Sequence, residues 1–207
     1  MPATAPTPKR IATRAKLLRA AGQVLADDEG RLEMSALARV AGVSHGTAFH
    51  HFGSKDGVLC AVVEDFYDRL EGEVLLDRLD DHTDWEARER DRVRRYIAFL
   101  VTDPLGRVVQ SLAQVPAVAA VEAARWERLV AVGATNIAQG QRRGVVTAEQ
   151  DSALLAALVL GAARSAVGQA LAQPTKPDVE ALTEHIWTFL GRGLVVRSVQ
   201  PATVEDH

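Results

Sequence analysis

The sequence predicts an all-α protein of about nine helices. Three observations carry that prediction. The 207 residues are 47% apolar but only 5% aromatic, an aliphatic composition that favours helices over sheets. Apolar residues recur at helical spacing along most of the chain, in runs opened by Ser, Thr, Asp or Pro. The prolines stand almost entirely at chain ends or element borders, where a helical protein tolerates them.

Residues 1–9 read as a disordered arm with a basic end. A first helix follows from about Ile11 to Leu25, with Ile11, Ala15, Leu18, Ala21, Val24 and Leu25 on one stripe. Asp27-Asp28-Glu29-Gly30 ends it. A second helix, roughly Met34 to Val40, buries Leu37 and Ala38 with Val40 beside them, and stops at Gly42, a residue suited to a left-handed C-cap. Ser44 caps a short third helix by accepting from the amide of Gly46 or Thr47. Ser54 caps a longer one from Lys55 to about Leu76, with Val58, Leu59, Val62, Val63, Phe66 and Leu70 on its stripe.

The remainder is predicted helical as well. Asp84 caps a helix that runs through Tyr96 and Phe99 to Val101, and Pro104 opens a shorter one through Leu105, Val108, Val109 and Leu112. Pro116 opens a long helix through Trp126 that closes at Gly144. Thr147 with Gln150 reads as a capping box for a helix from Ala148 to about Leu171. Pro177 starts the last helix, and residues 198–207 form a polar tail. No apolar run approaches ~18 residues, so no transmembrane helix is expected. The opening MPATAPTPKR lacks an apolar segment, so no secretory signal is expected. The single cysteine, Cys60, excludes an internal disulfide framework and suits a reducing cytoplasm.

Charge divides unevenly along the chain. Residues 1–56 carry eight Lys/Arg against five Asp/Glu, a net of +3, and the rest carries −6. A basic head on an acidic body fits an electrostatic face for nucleic acid. Within that head, residues 37–59 place two short helices on either side of the tight turn at Gly42. Such a pair is a helix-turn-helix, whose second helix enters a DNA major groove.

The segment resembles the DNA-binding domain of the TetR family of transcriptional regulators over residues 11 to about 63. The resemblance rests on Leu37-Ala38, Ala41-Gly42-Val43-Ser44, Gly46-Thr47-Ala48-Phe49, His51-Phe52 and Lys55 at fixed spacings. It implies a helix-turn-helix domain over residues 10–55, a ligand-binding and dimerisation domain over 56–197, and a homodimer on a palindromic double-stranded DNA operator. It implies a repressor released by a small lipophilic effector, with no cofactor. Two alternatives stay open: a DNA-binding dimer governed by a partner protein or by no ligand, and a helical small-molecule-binding module that has lost DNA affinity.

The expected DNA-contacting residues are Arg10, Arg14, Ser44, His45, Gly46, Thr47, Phe49, His50, His51 and Lys55. Val43 and Phe52 are expected in the core. Gly46 keeps the first turn of the recognition helix slim. Thr47 offers a hydroxyl to a phosphate or base, or closes a local hydrogen bond. Lys55 resembles the family's phosphate-contacting lysine. Two positions depart from the family pattern. Phe49 stands where Tyr is usual, which removes a phosphate hydrogen bond. Glu33 stands where Thr is common at the start of the second helix, and its carboxylate suits the helix dipole but repels DNA. More of the anchoring is then left to Lys9, Arg10 and Arg14.

His45, His50 and His51 invite a metal reading, but no Cys or carboxylate lies close enough in sequence to complete a tetrahedral set, so no metal is expected. As imidazolium contacts, His45 and His50 would make DNA binding weaken from about pH 6 to about pH 8. His51 is expected as a phosphate contact or a partly buried packing residue.

In the body, Tyr96, Phe99 and Trp126 are candidates for a ligand pocket or for plain core, and Arg164 for an ion pair or an anionic ligand. Leu158, Gly161, Ser165, Gly168, Ile186 and Phe189 are candidates for the dimer interface. No Gly-rich phosphate loop, nucleophile elbow or metal-ligand spacing is present, so no enzyme and no catalytic residue is expected.

Overall fold

The computed structural model describes residues 7–74 and 84–194. Over these residues the chain forms α1 (Pro8–Asp27), α2 (Met34–Ala41), α3 (His45–Phe52), α4 (Lys55–Val74), α5 (Trp85–Thr102), α6 (Val109–Leu112), α7 (Pro116–Arg142), α8 (Ser152–Leu171) and α9 (Val179–Leu194). The expected all-α fold is observed, with no strand among the described residues. The polar tail, most of the arm and the last residues predicted for the fourth helix lie outside the described residues.

The first four helices form the head: α1 packs on α2 and α4, and α3 closes against both α2 and α4. α4 continues into the body, where it lies along α7. α7 in turn packs along α8, and α5 along α9. One hydrophobic core runs through both halves, from Leu17 and Leu37 in the head to Val167 and Leu190 in the body. α4 supplies its middle with Val58, Val62, Phe66 and Leu70.

Several local expectations hold. Gly42 adopts the left-handed conformation at φ 57°, Ser44 Oγ accepts from the Thr47 amide, Ser54 Oγ from the Gly57 amide and Asp84 from the Ala87 amide. Pro116 stands at the start of α7.

Others are corrected. α1 begins at Pro8, so Lys9 and Arg10 are helical, not part of a loose arm. Its buried stripe is Leu17, Ala20, Ala21, Val24 and Leu25, with Ile11 exposed. The apolar residues of α1 span more than one face, and packing on α2 and α4 selects the phase. Val40 is exposed. The helix expected from Pro104 is a run of turns through 108, and only Val109–Leu112 is helical. Asp103 there accepts from the Leu105 amide at 2.9 Å and so favours a turn. The Thr147–Gln150 box does not form. Asp151 caps α8 by accepting from the amides of Ala153 and Leu154. Gln141 Nε2 holds the carbonyls of Thr147 and Gln150, keeping that stretch as a loop.

One described helix, α8, has the length and apolarity of a membrane span, at 20 residues and a mean hydropathy of 1.6. It also carries Arg164, ion-paired to Glu122, and packs its inner face on α7, as the core helix of a bundle does.

Candidate functional site

Helix α3 is only eight residues long and divides sharply into two faces. Ala48 points inward and is fully buried, while His45, Gly46, Phe49 and His50 are exposed. Those four positions fall on one side of a helix. His45 and Phe49, one turn apart, pack ring to ring at 5.0 Å and make an aromatic ridge along it. A Cβ built on Gly46 meets nothing within 4 Å, so the protein itself gives no steric reason for glycine there.

At the N-terminus of α3 the Ser44 and Thr47 hydroxyls lie 2.8 Å apart. Thr47 thus makes the local hydrogen bond. A hydroxyl pair uses one proton internally and keeps the other for an outside acceptor, next to the positive end of the helix. Lys55 is exposed at the start of α4, and Arg10 and Arg14 are exposed on α1. Arg14 lies over the Phe52 ring at 5.1 Å, so Phe52 is half-buried beneath a cation and not fully in the core. Val43 is likewise half-buried against the core. Glu33 is the exposed N-cap residue of α2 and makes no side-chain cap bond.

Two contributors escaped the sequence reading. The ammonium of Lys16 reaches over the Gly42 turn, 3.5 Å from where a Cβ would stand, and adds a cation beside α3. Gly57 sets the approach of α4 to the recognition helix, because a Cβ there would lie 2.1 Å from the Phe52 carbonyl oxygen. Gly57→Ala is therefore expected to force the α3–α4 junction apart and cost about 1–3 kcal/mol, read from urea unfolding.

His51 is half-buried, against Phe52 and His50. Burial pushes its pKa below the ordinary 6.5, helped by the charges of His50, Arg10 and Arg14. The unfolded chain then takes up this proton at higher pH than the folded one. The contribution is fully present above pH 6.5 and is lost as pH falls through that value toward the folded pKa. His51→Gln is expected to flatten the acid limb of the stability curve, measured between about pH 7 and about pH 5.5.

Residues 17–62 match the sequence model of the bacterial regulatory proteins of the tetR family. This match identifies the head, residues 17–62, as a TetR-family DNA-binding unit. Comparison with curated proteins gives no significant match. Among solved structures, a TetR-family transcriptional regulator from Pectobacterium atrosepticum is similar at 28% identity, covering 93% of this chain and 99% of that one, with a TM-score of 0.68. A putative TetR-family regulator from Mesorhizobium loti is similar at 20% identity over 92% and 100% of the two chains, with a TM-score of 0.73. NalD of Pseudomonas aeruginosa, the secondary repressor of the MexAB-OprM multidrug efflux pump, shares the fold at 16% identity over 90% and 98%, with a TM-score of 0.69. The protein is thus a DNA-binding transcriptional regulator.

In the body an apolar cavity of about 90 Å³ lies between α4, α5, α7, α8 and α9, walled by Trp85, Tyr96, Leu129, Leu160 and Trp187 among others. Of the expected pocket residues only Tyr96 reaches it. Trp126 and Arg164 line a smaller neighbouring cavity of about 20 Å³, with Tyr96 shared between the two. Phe99 lines neither. It is buried core, stacked edge-on against Phe66 at 5.3 Å and beneath Arg69. The walls contributed by Trp85 and Trp187 were not foreseen; both lie at helix positions that read equally as core.

Arg164 has a carboxylate partner in its own chain. It pairs with buried Glu122, lies over Trp126 at 5.1 Å, and shares Glu122 with the Tyr67 hydroxyl at 3.4 Å. Burial, then the Glu122 charge, pushes the Tyr67 phenol up to about 12, so it remains a donor. Tyr67 is on α4, Glu122 on α7 and Arg164 on α8, so the cluster ties three helices together.

Of the expected interface residues, Leu158 and Phe189 are 58% and 71% exposed, Ser165 is exposed, and Gly161 faces open space. Two do not share that surface. Ile186 is buried within the chain, and Gly168 faces its own Gln110, whose amide would stand 3.1 Å from a Cβ.

Proposed function

We propose that this regulator is a homodimeric, sequence-specific repressor, acting in the cytoplasm, that leaves a palindromic operator when a small lipophilic molecule enters the body cavity. The carrying observation is that one rigid helix, α4, joins the exposed face of α3 to the wall of an apolar cavity. Residues 10–55 act as the reading head and 56–197 as the sensing and dimerising body.

In this reading His45, Gly46, Phe49 and His50 face the major groove. Ser44, Thr47, Lys55, Arg10, Arg14 and His51 hold the phosphates, with Lys16 added to them. A single helix-turn-helix binds too weakly to choose one genomic site, which favours two copies. The exposed apolar residues Leu154, Leu158 and Phe189 supply a face for the second copy. NalD, which shares the fold, is a repressor, and this supports repression.

The test is selection of binding sites from random DNA with the full chain, beside a Leu158→Glu/Phe189→Glu variant. The expected result is a palindrome with the parent protein, and a monomer by sedimentation that enriches nothing with the variant. Enrichment of no palindrome by the parent, or a variant that stays dimeric, would overturn the reading.

A further inference from the structure

Among the described residues the lining of the body cavity is apolar save for a few polar members, chief among them Glu89 and Arg92 of α5 and Asn136 of α7. Three charged side chains are packed there: Arg88, Glu89 and Arg92 are only 7%, 14% and 14% exposed. Glu89 is shared, accepting from Arg88 Nε at 3.3 Å and from the Arg92 guanidinium through both oxygens. Arg88 also donates from Nη2 to the neutral amide oxygen of Gln139 at 2.9 Å. The described side chains of this cluster therefore carry two positive charges against one negative.

Arg92 Nε is buried and has no hydrogen-bond partner among the described residues. Nearly all buried polar groups in native proteins are paired, and leaving a charged donor unpaired is costly. Arg92 lines the cavity, and its unmet, sealed-off guanidinium N–H, within a cluster one positive charge in excess, matches an acceptor that is itself negative once the side chain turns toward the cavity. The rest of the wall, with Trp85, Val93 and Trp187, matches an apolar body.

We infer that the effector is a small monocarboxylate with an apolar body, its carboxylate received by Arg92 and its body lying against Trp85 and Trp187. This deepens the ligand-release reading and rests on it. A cavity of about 90 Å³ is smaller than the ~150 Å³ that admits benzene in an engineered apolar cavity, so the body is short, or Tyr96 moves and joins the two cavities.

The test uses the full chain with straight-chain carboxylates of about four to ten carbons, their methyl esters and the matching primary alcohols, by calorimetry. The variants are Arg92→Met, which removes the guanidinium, and Arg92→Lys, which keeps the charge and loses the Nε–H. Circular dichroism confirms that each is folded. The expected result is that one chain length binds as the acid at least about tenfold more tightly than as the ester or alcohol. Arg92→Met should abolish that preference and Arg92→Lys should weaken it. Equal affinity for acid, ester and alcohol, or an acid preference that survives Arg92→Met, overturns the carboxylate assignment while leaving the cavity as a ligand site. Absence of binding by every head group at every length overturns the ligand-release reading itself.

Discussion

Gly46→Ala is expected to make the protein more stable and a poorer DNA binder at once. Gly46 sits in the first turn of α3, and a methyl group built there meets no atom within 4 Å. Alanine in a helix is favoured over glycine by about 1 kcal/mol, so the urea midpoint should rise or hold. In the proposed DNA complex the same methyl stands between the helix backbone and the groove, on the face that carries His45, Phe49 and His50. An affinity loss of at least about tenfold is expected against the selected operator, with a smaller loss against random DNA, where phosphate contacts dominate. The opposed signs make the test sharp. A glycine kept for folding would lose stability on substitution, as Gly57 should, whereas a glycine kept for the groove loses only binding. Unchanged operator affinity with raised stability would remove α3 from the groove.

The head was largely legible because its signals are local. A serine one residue before a helix and a glycine at a left-handed cap each act within about one turn, so Ser44 and Gly42 could be placed without knowing the rest. What the sequence concealed depends on contacts distant along the chain. The apolar residues of α1 allow more than one buried phase, and only packing on α2 and α4 puts Leu17 inside and Ile11 out. Thr147 reads as the cap of the next helix, but the Gln141 side chain holds that stretch as a loop from α7, and Asp151 caps α8 in its place. Ile186 and Phe189 lie less than one turn apart on α9, yet one is buried and the other is 71% exposed. Aromatic type likewise did not separate Phe99, in the core, from Trp187, on the cavity wall.

The body's strongest single effect is expected at Glu122. Its carboxylate is 5% exposed and serves Tyr67 from α4 and Arg164 from α8. Glu122→Ala leaves the Arg164 guanidinium without a counter-charge and the Tyr67 hydroxyl without its acceptor. Removing one member of a buried ion pair costs about 3–5 kcal/mol. Arg164 is itself 28% exposed and keeps the Trp126 ring beneath it, so about 3 kcal/mol is the expected loss. The double variant Glu122→Leu/Arg164→Met should recover most of it, because replacing a whole buried pair by apolar groups of similar volume is close to neutral. Urea unfolding of the two singles and the double closes the cycle. A Glu122→Ala loss below about 1 kcal/mol would mean that water reaches and screens the pair. The double variant also bears on signal transfer. It restores packing without restoring the tie between α4 and α8, so if that tie carries cavity occupancy to the head, the protein should bind operator but no longer release it.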